Sequence, residues 1–215
     1  MKYILIDLDG TITNPKLGIT KSVQYALRDF DINIENLDSL CKHIGPPLRT
    51  AFKEFYDFSE EESERAVTKY REYYAEIGIF ENEVYSGMDG LLRRLKESGK
   101  ILIVATSKPE VFAKKILDHF NLGHYFTDIC GATLDTTRGT KEEVIRYALD
   151  KNQITDLREV VMVGDRMHDV EGAKAVGLPC VGVLYGFGNR TELEEAGADK
   201  IVETVEDLYD VIMNL

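Results

Sequence analysis

The chain has no apolar run approaching the ~20 residues of a membrane-spanning helix. It is also short of positive charge: 26 Lys and Arg stand against 38 Asp and Glu, a formal net charge of −12. Nucleic acid and anionic membrane both need a basic face, so neither is an expected partner. A small anionic substrate stays open, because a bound metal or a local cluster can invert the field. Cysteine is scarce too. Cys41, Cys130 and Cys180 are odd in number, far apart and in no C-x-x-C pattern. They indicate neither a zinc site nor a redox dithiol, and predict buried free thiols in a reducing compartment. The apolar stretch at residues 3–6 is too short for a signal peptide and Asp7 interrupts it, so the expected location is cytoplasmic. No internal repeat, low-complexity tract or flexible linker is visible. A length of 215 residues suits one large domain, or a domain carrying a smaller inserted one.

What is present begins at residue 3. Tyr3, Ile4, Leu5 and Ile6 form a short apolar run that ends in two carboxylates, Asp7 and Asp9, followed by Gly10 and Thr11. Buried strands of parallel α/β sheets end this way, and ligands bind beyond their carboxyl ends. Two Asp residues there can divide the work, one as nucleophile and one as proton carrier. An Asp-Gly turn after a strand accounts for the same residues without chemistry.

After Thr11 the β pattern stops, and a helical stretch runs to about residue 82. Thr20 is read as the cap of a helix with Val23, Ala26, Leu27 and Phe30 on one face. The Ile44-Gly45-Pro46-Pro47-Leu48 break restarts the chain, since Pro suits a first helical turn. Ser59 and Glu62 read as a capping box, and the helix behind it carries Ala66, Tyr70, Tyr73 and Ile77 as a core stripe. From residue 87 the pattern alternates. Helices are expected near 88–97, 109–120, 140–150 and 170–176, with a last one at the end of the chain. Strands are expected near 100–105, 126–131, 160–163, 179–184 and 201–202. Alternation of this kind predicts an α/β fold: a three-layer, Rossmann-like parallel sheet core with an inserted all-helical cap domain. The core takes residues 1–13 and 83–215, and the cap residues 14–82.

Three further polar clusters follow expected strands. Thr106 and Ser107 sit where a strand gives way to a helix, and free N–H groups with a hydroxyl there suit a phosphate; Ser107 or Lys108 preceding a helix is the plainer account. Thr140 and Glu143 form a second capping box. Lys141 lies in that helix's first turn, where the dipole opposes a cation by ~0.3–1 kcal/mol, so an anion between the two would gain from both. Asp165 follows a buried strand, and Asp169, four residues on, is expected on the same face of a starting helix. Capping alone explains such a pair. Together with Asp7 and Asp9, however, they crowd carboxylates at one sheet edge, which raises pKa values unless a hard, oxygen-ligated cation such as Mg²⁺ occupies the site. Arg166 and His168 are expected to face solvent, and Cys180 to be buried in its strand.

At this point the chain resembles the haloacid dehalogenase superfamily of phosphohydrolases, and most closely its phosphoglycolate phosphatase-like branch. The residues that carry the resemblance occur in the family's order: Asp7-Leu8-Asp9-Gly10-Thr11, then Val104-Ala105-Thr106-Ser107, then Lys141, then Gly164-Asp165 through Asp169. The helical insert matches that branch's cap. The resemblance implies that Asp7 attacks phosphorus and becomes an aspartyl phosphate. Asp9 would protonate the leaving oxygen and then activate water. Thr106 and Lys141 would hold the phosphoryl oxygens, with Gly10 and Ser107 beside them. Asp7, Asp9 through its carbonyl, Asp165 and Asp169 would hold Mg²⁺. One departure is visible: where that branch often carries Lys-Pro-x-Pro, this chain has Lys141-Glu142-Glu143-Val144, which leaves the chemistry in place and weakens the substrate assignment.

The expected activity is therefore Mg²⁺-dependent hydrolysis of a small phosphorylated metabolite, with phosphoglycolate and nucleoside 5′-monophosphates as the first substrate classes to test. A sugar phosphomutase on the same scaffold and a non-catalytic phosphate-binding regulatory module are the alternatives. Substrate choice is expected from the cap, with Arg49 as its anion contact; a solvated Arg49 beside a helix start is the plainer account.

Overall fold

The computed structural model describes residues 1–135 and 137–215. The chain divides into two compact units, one of Met1–Asn14 with Val84–Leu215, the other of Pro15–Glu83. In chain order it begins with β1 (Tyr3–Ile6) and β2 (Thr13–Asn14). Three helices follow: α1 (Lys16–Arg28), α2 (Leu48–Tyr56) and α3 (Glu60–Glu76). The next elements are β3 (Glu83–Val84), α4 (Met88–Glu97), β4 (Ile101–Pro109), α5 (Glu110–His119) and β5 (Asp128–Ala132). The chain closes with α6 (Lys141–Lys151), β6 (Val160–Gly164), α7 (Met167–Val176), β7 (Cys180–Val183), α8 (Arg190–Ala196), β8 (Lys200–Val202) and α9 (Val205–Met213).

The larger unit is built on a six-stranded parallel sheet of order β5-β4-β1-β6-β7-β8, while β2 and β3 pair separately. Its central strands are apolar on both faces because helices cover both. In β1, Ile4, Leu5 and Ile6 are almost completely buried. Leu5 stands in register with Ile103 of β4 and Met162 of β6. On that face Leu5, Ile103, Ala105, Cys130 and Met162 meet Val144, Ile145 and Ala148 of α6, Val170 and Ala173 of α7, and Leu193 of α8. Each Val, Leu, Ile or Met among them contributes about 1.5–3 kcal/mol by leaving water. Helices α4 and α5 pack on β4, α5 also on β5, and α9 packs on α4; the right-handed crossover rule assigns them to the opposite face. The path leaves β1 toward β4 and β5, then crosses back to β6. The order reverses at β1, the point beyond whose carboxyl end open α/β sheets bind their ligands.

The second unit pairs α1 and α2 with α3. The Ser59–Glu62 capping box starts α3 as its sequence predicts. The buried stripe of α3 is Ser63, Ala66, Tyr70 and Tyr74, rather than one through Tyr73 and Ile77; Ile77 is the residue after the helix and is 51% exposed. Thr20 does not cap α1. Pro15 precedes the helix, and the Thr20 hydroxyl donates to the Lys16 carbonyl at 2.7 Å inside it. Two other differences bear on function. The fourth strand runs on to Pro109, with its register against β5 shifting between Thr106 and Pro109. And α7 starts three residues before Val170, because Asp169 accepts a hydrogen bond from the Arg166 N–H and closes the helix's first turn.

Candidate active site

Four loops converge at the carboxyl ends of β1, β4 and β6. The turn after β1 begins with Asp7, whose N–H still donates to Val163 of β6 at 2.9 Å. Its carboxylate Oδ1 accepts from the Leu8 N–H at 2.8 Å and lies 2.9 Å from Lys141 Nζ. Gly10 follows with φ +85°, a region that disfavours any side chain. A Cβ there would fall 2.1 Å from Asp165 Oδ2, so Gly10 admits the close approach of that carboxylate.

Asp165 is wholly buried in the bend after β6. It does not share a helix face with Asp169: the extended Arg166 stands between β6 and α7, and only Asp169 is helical. The two carboxylates still meet, because α7 turns back over the strand end. Gly164 makes room for this, since a Cβ on it would sit 2.1 Å from Asp169 Cγ. Asp165 Oδ2 accepts from the Phe187 N–H at 2.8 Å, and Thr11 Oγ1 lies 3.4 Å from Oδ1.

Lys141 is the first residue of α6 and is 5% exposed. Its ammonium reaches Asp169 Oδ1 at 2.7 Å, Asp7 Oδ1 at 2.9 Å and the Ala105 carbonyl at 3.1 Å. These partners offset both its burial and the opposing helix dipole. Burial alone would depress the Lys141 pKa, but Asp169 and Asp7 hold it above the usual lysine range, so the group stays charged.

The carboxylates show the reverse. Burial, reinforced by the charges of Asp169 and Asp7, pushes Asp165 well above the carboxylate range, and burial moves Asp169 the same way against the pull of Lys141. Asp7, Asp165 and Asp169 each offer an oxygen within 4.8 Å of the others. An all-carboxylate set that is buried and electrostatically uncomfortable fits a hard divalent cation.

On the other side of Asp7, the strand irregularity after Thr106 turns Lys108 inward. Such irregularities beside strand ends re-aim side chains. The Lys108 N–H donates to Thr106 Oγ1 at 3.2 Å, and its ammonium lies 2.5 Å from Asp9 Oδ2. Lys108 is 8% exposed. Burial raises the Asp9 pKa, opposed by Lys108. Thr106 is 1% exposed and Ser107 is partly buried at the same strand end.

Asp7 and Asp169 thus share the Lys141 ammonium, Asp165 offers an oxygen within 4.8 Å of both carboxylates, and Lys108 joins Asp9 to Thr106. Arg49 lies in the other unit, at the start of α2, where its guanidinium pairs with Glu60 and Glu64 at 3.0 Å each. Arg166 does not face solvent: it pairs with Glu192 at 2.7 Å, with its side chain 18% exposed. His168 keeps a side chain 38% exposed, and Cys180 is fully buried.

Sequence reading passed over Lys108 as the residue ahead of a helix. The signal available was its place, between a strand-end Thr-Ser pair and Pro109, where a buried charge needs a partner. Nothing local marked the Phe187 N–H, because the contact joins residues far apart in the chain.

A family model for haloacid dehalogenase-like hydrolases matches residues 4–183. A 5′-nucleotidase from Pseudomonas aeruginosa is 47% identical over 190 residues, which cover 88% of this chain and 86% of that protein. The tyrosine-protein kinase PtkA from Mycobacterium tuberculosis is 34% identical over 214 residues, covering 98% of this chain and 72% of that protein. A solved structure described as a predicted phosphatase from Clostridium acetobutylicum superposes with a TM-score of 0.97 at 51% identity, covering 99% of this chain and 98% of that one.

Proposed function

The chain belongs to the haloacid dehalogenase-like hydrolases and is a phosphoric monoester hydrolase, and from that premise we propose that it is a Mg²⁺-dependent phosphatase of nucleoside 5′-monophosphates. One observation carries the reading. Four carboxylates and two ammonium groups meet at three neighbouring strand ends, and the Asp7, Asp165 and Asp169 oxygens there lie within 4.8 Å of one another, a set that suits a divalent cation. The 47% identity to a 5′-nucleotidase supports the nucleotide class over phosphoglycolate.

In this reading Asp7 attacks phosphorus and becomes an aspartyl phosphate, while Asp9 gives its proton to the departing nucleoside oxygen. Asp9 then takes a proton from water as the water attacks the acyl phosphate, which frees inorganic phosphate and restores Asp7. Lys141 stays charged beside Asp7 and stabilises the phosphoryl oxygens as they gain charge, and the Thr106 hydroxyl with the Gly10 and Ser107 backbone orients them. Asp7, Asp165 and Asp169, with the Asp9 carbonyl, would hold Mg²⁺. When bound, the ion supplies charge neutralisation at the phosphoryl group. Residues 15–83 act as the cap that reads the leaving group, with Arg49 as an anion contact.

The test is phosphate release from a panel of nucleoside 5′-monophosphates and phosphoglycolate, with Mg²⁺ and after chelation. Nucleotide turnover that needs Mg²⁺, and is inhibited by the looser-coordinating Ca²⁺, is the expected result. Preference for phosphoglycolate overturns the substrate class, and full activity after metal removal overturns the metal. Phosphotyrosine formed from ATP without phosphate release would assign the chain to kinase chemistry instead.

A further inference from the structure

Asp9 is held by one carboxylate oxygen only. Its Oδ2 lies 2.5 Å from the Lys108 ammonium, with the two side chains 14% and 5% exposed, while Oδ1 is buried and has no hydrogen-bond partner among the described residues. A buried polar atom left unpaired costs about 1–3 kcal/mol and calls for an explanation. Lys108 is itself fixed by the local backbone, because its N–H is tied to the Thr106 hydroxyl where β4 loses register with β5.

We propose that Lys108 is the positioning residue for Asp9: by gripping Oδ2 it fixes the carboxylate rotamer and reserves Oδ1 for the proton exchanged with the leaving-group oxygen and then with water. This rests on the proposed phosphatase reading and adds a residue to it. Lys108 sets geometry through Asp9, whereas Lys141 serves Asp7. An unheld carboxylate would sample several rotamers, and small misplacements of a reacting group cost large factors in rate.

The inference is distinguishable from a structural or phosphate-binding role for Lys108. Proton donation matters most when the leaving group is a poor one, so loss of positioning must fall harder on an alkyl phosphate than on an activated aryl phosphate. The experiment compares kcat and KM of the wild type, Lys108→Met, Asp9→Asn and the double variant on an alkyl nucleotide and on dinitrophenyl phosphate, with Mg²⁺ saturating. Lys108→Met should lower kcat on the nucleotide by about 10²-fold, and at least tenfold more than on the aryl ester. Adding it to Asp9→Asn should bring little further loss, since the two act as one unit. Lys108→Gln, which keeps a donor for Oδ2, should recover part of the nucleotide rate, and circular dichroism of each variant reports folding. Equal losses on both esters, or a rise in KM with kcat intact, would overturn the inference while leaving the phosphatase reading standing. A wild type that releases phosphate from neither ester would overturn that reading and this inference with it. Should Lys108→Met not fold, the same leaving-group comparison on Lys108→Gln decides.

Discussion

At the scale of single residues, the site is made of charges that burial makes costly and neighbours make useful. Asp7→Asn keeps the shape of the side chain and removes the attacking charge. Turnover should fall at least about 10³-fold while the thermal midpoint holds or rises, because one of four crowded carboxylates is gone. Asp9→Asn should lose about 10²–10⁴-fold in kcat, the usual contribution of a positioned proton carrier. Steady-state kinetics with melting curves checks both, and near wild-type turnover in either variant removes the role assigned to it. Gly10→Ala tests the geometry from another side. Its φ of +85° and the 2.1 Å approach of Asp165 Oδ2 leave no place for a methyl group. The variant should lose about 1–3 kcal/mol in urea unfolding and bind Mg²⁺ more weakly. An unchanged Mg²⁺ affinity by calorimetry would separate Asp165 from the metal.

At the scale of elements, the second unit contains a buried histidine with a definite pH signature. His43 is 2% exposed, its Nδ1 lies 3.1 Å from the Leu40 carbonyl, and its ring packs against Phe52, Phe55 and Tyr56. Burial drives its pKa down to about 4 from 6.5. The unfolded chain binds this proton more readily than the folded one between those values. Stability is therefore complete above pH 6.5 and lost as pH falls toward 4, by about 3 kcal/mol from this group. Urea unfolding of wild type and His43→Phe at pH 7 and pH 4 should show that difference only in the wild type; parallel slopes in both proteins would contradict it.

Much of the element pattern was legible for a physical reason. Strand β6 is an unbroken apolar run, as strands covered on both faces must be, and the capping boxes at Ser59 and Thr140 mark helix starts by local chemistry alone. What stayed hidden was either short or non-local. The seven-residue α8 and the two-residue β2 and β3 carry too few residues for a period to show. In the site, Asp7, Asp9, Lys141 and Asp165 stood out because each is a charge abutting an apolar strand or a helix start. Lys108 did not, because its inward turn depends on the register shift of β4 against β5.

At the scale of the molecule, a chain of net charge −12 works on an anion only if cations are concentrated where the anion binds. In the proposed function Lys141 does this beside Asp7, and a divalent ion held by Asp7, Asp165 and Asp169 would add to it. Selectivity between esters belongs to the other unit in the proposed function. Arg49→Ala should there change the rate ratio between nucleotides and a small aryl phosphate, at a stability cost below about 1 kcal/mol, because exposed ion pairs contribute little. Equal changes on every substrate would place Arg49 outside leaving-group recognition. In the proposed function phosphoryl transfer passes through Asp7, and acid-quenching the enzyme during turnover of a phosphate-labelled nucleoside 5′-monophosphate traps that intermediate. Label should be bound to the protein, released by hydroxylamine, mapped to the peptide containing Asp7 and absent from Asp7→Asn. Turnover with no label on the wild-type chain, or label that persists in Asp7→Asn, would contradict it.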